Sequence, residues 1–276
     1  MRLSFTKMHG AGNDFMVFER APGMNLPTAA QWRELADRHR GVGFDQAIVF
    51  EPARTPDTVA FYRIFNADGG EVEQCGNGAR CAVRLLQLQG RAQDGDVALG
   101  SPAGVVHGRL LDNGEISVDM GPPRFEPAAL PFIADAAATS YALQVDGHEY
   151  RVGAVSMGNP HVVLRVADVD AAPVATLGQA LQQHPRFPRR VNVGFMQVLD
   201  AGHIRLRVFE RGVGETLACG TGICAAVAVG HQQGLLGTDV EVHVPGGRLG
   251  VHWDGGEAPI WLTGPAAVAF TGQVDF

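Results

Sequence analysis

Short apolar runs recur along the chain, and most are bounded by Gly, Pro, Asn or Asp, which is typical of β-strands. Asp146-Gly147 lies between two such runs and predicts a hairpin with a type I′ turn, because both residues tolerate positive φ. The predicted strands are Leu3–Met8, Phe15–Glu19, Ala47–Phe50, Val59–Phe65, Glu115–Met120, Tyr141–Val145, His148–Val152, His161–Val166, Val191–Val198, His203–Phe209, Val240–Val244 and Ile260–Thr263.

Helical signals are fewer. Thr28 with Gln31 three residues later predicts a capping box and a helix that begins there. Two further helices are predicted over Gly78–Gln89 and Gly222–Gln233. Many short strands with one main helix in each half favour an α+β fold of two barrel-like domains.

The second half of the chain repeats the first. The segment FNADGGEVEQCGNG (65–78) aligns without gaps with FERGVGETLACGTG (209–222). Six shorter pairs occur in the same order: Gly12-Asn13 with Gly158-Asn159, the following strands, Val42-Gly43-Phe44 with Val193-Gly194-Phe195, Pro102-Ala103-Gly104 with Pro245-Gly246-Gly247, Asp112–Glu115 with Asp254–Glu257, and Gly121-Pro122 with Gly264-Pro265. We expect two similar domains related by an approximate two-fold axis, 1–120 with the tail 264–276, and 121–263.

Composition narrows the possible partners. The chain has 276 residues, a formal net charge of −7 and no block of basic residues, so nucleic acid is an unexpected partner. No apolar run reaches membrane-spanning length, and the first residues lack the layout of a signal peptide. A soluble, cytoplasmic protein that does not bind membranes is therefore expected.

Two of the four cysteines lie where a strand turns into a helix, in Cys75-Gly76-Asn77-Gly78 and Cys219-Gly220-Thr221-Gly222. The first amide groups of a helix attract anions and make a nearby thiol easier to deprotonate. Each site is thus expected to provide an anion cradle and an activated sulfur. Cys81 and Cys224 are expected in the core, and neither pair has the spacing of a zinc site.

Two equivalent thiols facing one carbon suit the inversion of a stereocentre. One thiolate would remove the Cα proton and the opposite thiol would supply a proton to the other face. The charge that develops on the substrate carboxylate would be stabilised by the helix ends. This chemistry needs no metal or other cofactor, and therefore no pyridoxal-binding lysine. Lys7 is the only lysine in the sequence.

The motifs taken together resemble those of the diaminopimelate epimerase family over the whole chain. The matching segments are Met8–Phe15, Arg40–Gln46, Asn66–Gly69, Cys75–Cys81, Met157–His161, Val191–Val193, Glu210–Gly212 and Ala218–Gly222. The resemblance implies a cofactor-independent epimerase of two pseudo-symmetric domains with its active site in the cleft between them. Its substrate would be LL- or meso-2,6-diaminopimelate, on the route to lysine and peptidoglycan precursors.

The resemblance also implies residue roles. Cys75 and Cys219 would be the acid/base pair, assisted by His161 and Glu210. Substrate binding would fall to Asn13, Gln46, Asn66, Gly76, Asn77, Asn159, Asn192, Glu210, Arg211, Gly220 and Thr221. The family forms homodimers, and Phe270 stands at a position associated with dimer contacts where many members carry Tyr.

Two alternatives remain open on the sequence, and a third is set aside. The nearest is a proline racemase or hydroxyproline epimerase with the same two-cysteine architecture, although the many Asn residues and Glu210-Arg211 favour a long diacid. A redox or zinc-binding module using the four cysteines would be detected by metal content and thiol titration. A dinucleotide-binding oxidoreductase is disfavoured, because neither Gly10-Ala11-Gly12 nor Gly41-Val42-Gly43 continues to the third glycine before a helix.

Overall fold

The computed structural model describes residues 2–72, 75–92 and 95–276. Residues 73 and 74 of the aligned cysteine segment lie outside the described residues. The chain divides into two compact units, Met1–Asp119 with Thr263–Phe276, and Met120–Leu262. The limits expected from the sequence repeat lie one residue from these.

The strands of the described chain are β1 (Arg2–Gly10), β2 (Asn13–Glu19), β3 (Gln46–Glu51), β4 (Ala60–Asn66), β5 (Glu71–Val72), β6 (Asp96–Ser101), β7 (Gly104–Leu110), β8 (Ile116–Asp119), β9 (Tyr141–Val145), β10 (His148–Ser156), β11 (Pro160–Arg165), β12 (Asn192–Asp200), β13 (His203–Glu210), β14 (Gly214–Thr216), β15 (Asp239–Val244), β16 (Gly247–His252), β17 (Trp261–Gly264) and β18 (Ala267–Asp275). The helices are α1 (Ala29–Ala36), α2 (Gly76–Leu88), α3 (Val174–Gln182) and α4 (Gly220–Gln232), with one 3₁₀ turn at Pro127–Ala129.

The two units pair their strands in the same order. In the first unit the order is β18-β1-β2-β3-β4-β6-β7-β8, with β5 as a short extra partner of β4. In the second it is β9-β10-β11-β12-β13-β15-β16, with β14 as the short partner of β13. The parallel pairs also correspond, namely β2/β3 with β11/β12 and β4/β6 with β13/β15. Each unit is therefore one copy of the same fold.

Each cysteine-bearing helix is largely buried by its own unit. Helix α2 packs on β1, β2, β7 and β8, whereas α4 packs on β10–β13 and β16. Ten residues of α4 from Gly220 to Gly230 are buried, which is expected of a helix that is apolar on nearly all sides. The shorter helices each cover a second core, which in the first unit is centred on Trp32 and in the second contains Leu181. The predicted α+β class is confirmed.

Every predicted strand overlaps an observed one, and Asp146 and Gly147 both have positive φ in the hairpin turn, as predicted. The capping box at Thr28 is also observed. Helix α3 was not predicted, because Gly178 interrupts its apolar pattern. A Cβ at that position would lie 2.7 Å from the ring of Phe209, so glycine is needed for α3 to approach β13.

One proposed repeat pair is wrong. Val42-Gly43-Phe44 precedes β3, whereas Val193-Gly194-Phe195 lies within β12. The strand registers show the true correspondence: Phe15 pairs with Gln46 as His161 pairs with Asn192. The sequence similarity of the two tripeptides therefore does not reflect equivalent positions.

Candidate active site

Cys75 occupies the N-cap of α2, in an extended backbone conformation, and is half-buried. The first helical turn, Gly76-Asn77-Gly78, directs its backbone N–H groups toward the end of the helix where the thiol lies. Cys75 thus stands at the start of a helix, as the sequence predicts. A carboxylate placed beside Cys75 would meet the positive end of the helix dipole.

Asn13 contacts both Cys75 and the first turn of α2. It is the first residue of β2, held there by a two-residue turn in which Ala11 and Gly12 both have positive φ. Its Oδ1 lies 3.7 Å from Cys75 Sγ and 3.3 Å from Asn77 Nδ2, which donates to it. The β1–β2 hairpin thus delivers an amide oxygen to the thiol.

A network of charged side chains lies behind Asn13. Asn13 Nδ2 donates to Asp45 Oδ2 at 3.0 Å, and Arg38 donates to the carboxylates of both Asp45 and Asp14. Lys7, the only lysine, is buried and donates to Asp14 and to the carbonyl of Gly43. Burial alone would raise the pKa of Asp14, but the bonds from Arg38 and Lys7 outweigh it and hold that pKa well below its usual range.

Gln46 and Asn66 lie opposite each other on β3 and β4, and Gln46 Nε2 donates to Asn66 Oδ1 at 2.9 Å. Gln46 Oε1 is buried and has no hydrogen-bond partner within the described part of the chain. A buried carbonyl oxygen without a partner is suited to accept a hydrogen bond from a bound molecule, for example from an ammonium group.

Cys219 is the equivalent N-cap of α4, but it is buried and has different partners. Its Sγ donates to Glu210 Oε2 at 3.0 Å and lies 3.6 Å from Thr221 Oγ1. Thr216 Oγ1 donates to the other oxygen of Glu210 at 2.5 Å. The carboxylate is therefore fixed with one oxygen on the thiol.

The expectation that both thiols are easily deprotonated is wrong for Cys219. Burial raises its pKa well above the ordinary value, and the charge of Glu210 raises it further. A hydrogen bond from the backbone of Gly222 acts in the opposite sense but is outweighed. Cys219 is therefore a protonated thiol at neutral pH, and Glu210 is its acceptor.

His161 is buried on β11 behind these groups. Its Nε2 lies 2.9 Å from Asn159 Oδ1, and Asn159 Nδ2 donates to Thr221 Oγ1 at 3.2 Å. Burial, reinforced by the charge of Arg211, lowers the pKa of His161 to about 3, so the ring is neutral. It reaches Cys219 through Asn159 and Thr221.

Asn192 and Arg211 complete the set in the second unit. Asn192 Oδ1 accepts from the backbone N–H of Arg211 at 2.8 Å, and its Nδ2 donates to the carbonyl of Pro160 at 3.2 Å. The guanidinium of Arg211 is exposed and donates to the carbonyl of Arg189. Each unit thus brings its own share of the expected site residues around its own cysteine.

Cys81 and Cys224 are buried, as expected. For Cys81, burial raises the pKa to about 12, so it is unsuited to act as a base. Phe270 lies elsewhere, on β18, where half of its surface is exposed and its ring meets Phe5 edge to face. Lys7, Asp14, Arg38, Asp45 and Arg80 support the site but were not predicted to do so, although Asp14, Asp45 and Arg80 stand inside the matching motifs.

The fold is that of the proline racemase and PhzF proteins. A probable proline racemase from Agrobacterium radiobacter matches with a TM-score of 0.70 and 18% identity, covering 99% of this chain and 93% of that one. A hydroxyproline epimerase from Agrobacterium vitis matches with a TM-score of 0.70 and 19% identity, covering 99% and 92%. A PhzF-family phenazine biosynthesis protein from Bacillus anthracis matches with a TM-score of 0.68 and 17% identity, covering 100% of both chains.

Sequence comparison narrows this class to one family. The diaminopimelate epimerase family model matches residues 5–126 and 153–269. The diaminopimelate epimerase of Thioalkalivibrio sulfidiphilus is 54% identical and that of Chromobacterium violaceum 52% identical, each covering 100% of both chains. The chain belongs to the diaminopimelate epimerase family and is an isomerase.

Proposed function

We propose that this chain interconverts LL- and meso-2,6-diaminopimelate by a two-base mechanism in which Cys75 and Cys219 act on opposite faces of one carbon. The observation that carries the proposal is the repeated half-site: a cysteine at the N-cap of equivalent helices, each with a hydrogen-bond acceptor on its sulfur. The names of relatives that are 50–54% identical over their full length support the substrate. The activity would serve lysine and peptidoglycan precursor biosynthesis.

In the proposed reaction one sulfur removes the proton from Cα while the other sulfur supplies a proton to the opposite face. Gly76 and Asn77 on α2, and Gly220 and Thr221 on α4, would bind the carboxylate of the reacting carbon. Negative charge that develops on this carboxylate is stabilised by the N-terminal ends of both helices. In this mechanism the two helix ends take the place of a cofactor that would accept the electron pair of the carbanion.

The direction of proton transfer follows from the partners of Cys219. Its thiol already donates to Glu210, so it is the acid when Cys75 is the base. For the reverse direction Glu210 must take the thiol proton, which leaves a thiolate. His161 holds Asn159, and through it Thr221, against this sulfur. His161 thus assists by orienting Asn159 and Thr221, and it does not exchange a proton because its ring stays neutral.

The remaining polar groups would bind the rest of a zwitterionic substrate. Gln46 offers its buried carbonyl oxygen to an ammonium group. The exposed guanidinium of Arg211 can hold the distal carboxylate in a bidentate manner. Amides complete the set: Asn13, Asn66, Asn159 and Asn192.

The units would be an N-terminal epimerase domain, 1–120 with 264–276, and a C-terminal one, 121–263. A cytoplasmic homodimer without nucleic-acid or membrane partners fits a biosynthetic enzyme, and the exposed Phe270 is proposed to contribute to the dimer contact. No helix of the described chain is long and apolar enough to cross a membrane.

Isotope exchange tests the proposed function. Reduced, purified protein is incubated in D₂O with LL-diaminopimelate, without added metal or pyridoxal phosphate, and Cα deuteration and the isomer ratio are followed by NMR. We expect both exchange and a mixture of isomers. Exchange on proline or hydroxyproline, with none on diaminopimelate, would instead assign the chain to the activities named for its structural neighbours.

A further inference from the structure

Two amide side chains beside Cys75 form a short hydrogen-bonded chain with a charged group at each end. Arg80 Nη2 donates to Asn77 Oδ1 at 2.7 Å, Asn77 Nδ2 donates to Asn13 Oδ1 at 3.3 Å, and Asn13 Nδ2 donates to Asp45 Oδ2 at 3.0 Å. Arg80 is completely buried on α2. The hydrogen-bond chain thus runs from the guanidinium of Arg80 to the carboxylate of Asp45.

The ends of this chain determine how both amides are turned. A guanidinium can only donate, so Asn77 must present its oxygen to Arg80 and its nitrogen to Asn13. A carboxylate can only accept, so Asn13 must present its nitrogen to Asp45 and its oxygen to the other side. Both constraints agree, and together they leave Asn13 Oδ1 facing Cys75 Sγ.

Asp45 is itself held in place. Its Oδ2 accepts from the backbone N–H of Asp14 at 3.1 Å, and its Oδ1 accepts from Arg38 at 2.8 Å. The carboxylate therefore cannot turn away from Asn13 without breaking two other bonds. The charged network gives Asn13 one orientation rather than two.

In the second unit other residues fix the orientation of the corresponding amide. Asn159 is the counterpart of Asn13, and it donates to Thr221, the counterpart of Asn77. The oxygen of Asn159 accepts from the neutral ring of His161. A dedicated group thus fixes the amide in each unit, although Arg80 lies on a helix and His161 on a strand.

We infer that Arg80 and Asp45 are positioning residues of the Cys75 half-site, which fix the Asn77 and Asn13 amides so that an oxygen, and not an N–H group, faces the sulfur. An oxygen in this place accepts from the thiol and repels the thiolate, so it makes the thiolate a stronger base for a Cα proton. A turned amide would donate to the thiolate and weaken it. The inference rests on the proposed role of Cys75 as a base.

Replacing both ends separates orientation from charge. Asp45→Asn removes a negative charge and Arg80→Gln a positive one, so Asp45→Asn/Arg80→Gln keeps the net charge. In the double variant the amide introduced in place of the Asp45 carboxylate can turn its oxygen to Arg38 and its nitrogen to Asn13, at the expense of the bond from the Asp14 N–H, and this reverses the direction of the hydrogen-bond chain. Asp37→Asn is the matched control, because Asp37 is a half-buried carboxylate of the same unit that pairs with Arg40.

The measurement is the rate of iodoacetamide labelling of each cysteine against pH, read by peptide mass mapping. We expect the Cys75 profile of the double variant to move about one pH unit lower, with labelling about tenfold faster below its midpoint, the usual size of one hydrogen bond to a charged group. Its kcat should fall more than its KM changes. The Cys219 profile of the same sample is the internal control and should not move.

Simple Coulomb effects predict another pattern. They would move the Asp45→Asn profile lower and the Arg80→Gln profile higher, and the two shifts would cancel in the double variant. A double variant with the parent Cys75 profile would show this cancellation and overturn the inference. If Arg80→Gln fails to fold, Asp45→Asn/Arg80→Met is measured in its place, because it keeps the net charge and also removes both groups that fix the direction of the two amides. A Cys75 profile that moves to lower pH then supports the inference, and the parent profile overturns it.

The labelling profile does not depend on turnover, so the inference and the proposed function fail separately. A Cys75→Ser protein that keeps epimerase activity would refute the role of Cys75 as a base but leave the profile shift standing. An inactive Cys75→Ser protein together with an unshifted double variant would refute only the positioning role.

Discussion

Glu210 Oε2 lies 3.0 Å from Cys219 Sγ, and the thiol donates to the carboxylate. The aligned position in the first repeat holds Asn66, which carries no charge. The thiol of Cys75 faces instead a neutral amide oxygen of Asn13, at 3.7 Å. The repeat therefore supplies two equivalent sulfurs with acceptors of different charge, and this difference fits a substrate whose two isomers are not mirror images.

Glu210→Gln should make Cys219 easier to ionise and the enzyme slower. The negative charge of Glu210 contributes to the raised pKa of Cys219, so a neutral side chain lowers that pKa and moves iodoacetamide labelling of Cys219 to lower pH. Turnover should fall by about 10²–10⁴-fold, because the thiol loses the group that takes its proton. Labelling is followed by mass mapping and turnover by NMR.

Glu215→Gln is the matched control for this prediction. Glu215 is a carboxylate of the same unit, and both of its oxygens accept from Arg207. We expect the parent labelling profile and near-parent turnover. An unchanged Cys219 profile in Glu210→Gln would show that burial alone keeps this thiol protonated.

Much of the fold was predictable because its signals are local. Alternating apolar residues identify half-buried strands, and Thr28 with Gln31 marks a helix start within four residues. Strands β5, β6, β7, β14, β16 and β18 were missed, and β7 shows one reason, since Gly, His and Arg interrupt its apolar residues. Gly178 interrupts the apolar pattern of α3. A glycine is required there because of the contact with Phe209, which is distant in the sequence, so the helix was not predicted.

The site was predictable to the extent that its residues lie in motifs. The placement of both cysteines at helix starts follows from the glycines around them. The raised pKa of Cys219 could not be predicted from its motif, because burial and the charge of Glu210 outweigh the effect of the helix end. The contact of Asn13 with Asp45 spans 32 residues of sequence, and only the parallel pairing of β2 with β3 brings the two together.

His161→Phe should flatten the acid side of the stability profile. The folded pKa of His161 is lowered to about 3, so the unfolded chain binds a proton near pH 6.5 while the folded chain does not. Its contribution to stability is complete above pH 6.5 and is lost progressively as pH falls toward 3. Between pH 7.5 and 5 this loss amounts to about 2 kcal/mol.

Urea unfolding at both pH values measures the effect. The variant resembles the first repeat, where Phe15 occupies this position, and its unfolding free energy should fall by about 2 kcal/mol less than that of the parent over the same range. The exposed His148→Phe serves as the control and should keep the parent dependence. Equal slopes for parent and His161→Phe would mean that His161 is protonated in the folded protein.

Phe270→Ala should weaken the proposed homodimer with little effect on folding. Half of the Phe270 surface is exposed, so its removal leaves no large cavity, and the contact with Phe5 is its main loss within the chain. Sedimentation velocity over a range of concentrations should show a shift toward monomer. Ile133→Ala, which removes an exposed apolar residue of the other unit, should sediment like the parent, and equal behaviour of the two variants would place the dimer contact elsewhere.

The single variants Cys75→Ser and Cys219→Ser should separate the two faces of the substrate carbon. Inversion needs a base on one side and an acid on the other, so either change should slow epimerisation by orders of magnitude, since a hydroxyl is a far poorer base than a thiolate. Exchange of the Cα proton with solvent needs only one base, which removes and returns the proton on a single face. Residual exchange should therefore survive, and the two variants should prefer opposite isomers.

Cys81→Ser and Cys224→Ser are the controls for these variants. Both cysteines are completely buried, so a hydroxyl should cost roughly 1–3 kcal/mol of stability and leave turnover near normal. The measurement is NMR of LL- and meso-diaminopimelate in D₂O, each isomer tested separately with each variant. If both single variants of the N-cap cysteines exchanged the same isomer, the two sulfurs would serve one face, and the two-base assignment would have to be abandoned. Loss of turnover in folded Cys81→Ser with normal turnover in Cys75→Ser would instead move the base from the start of α2 to its interior.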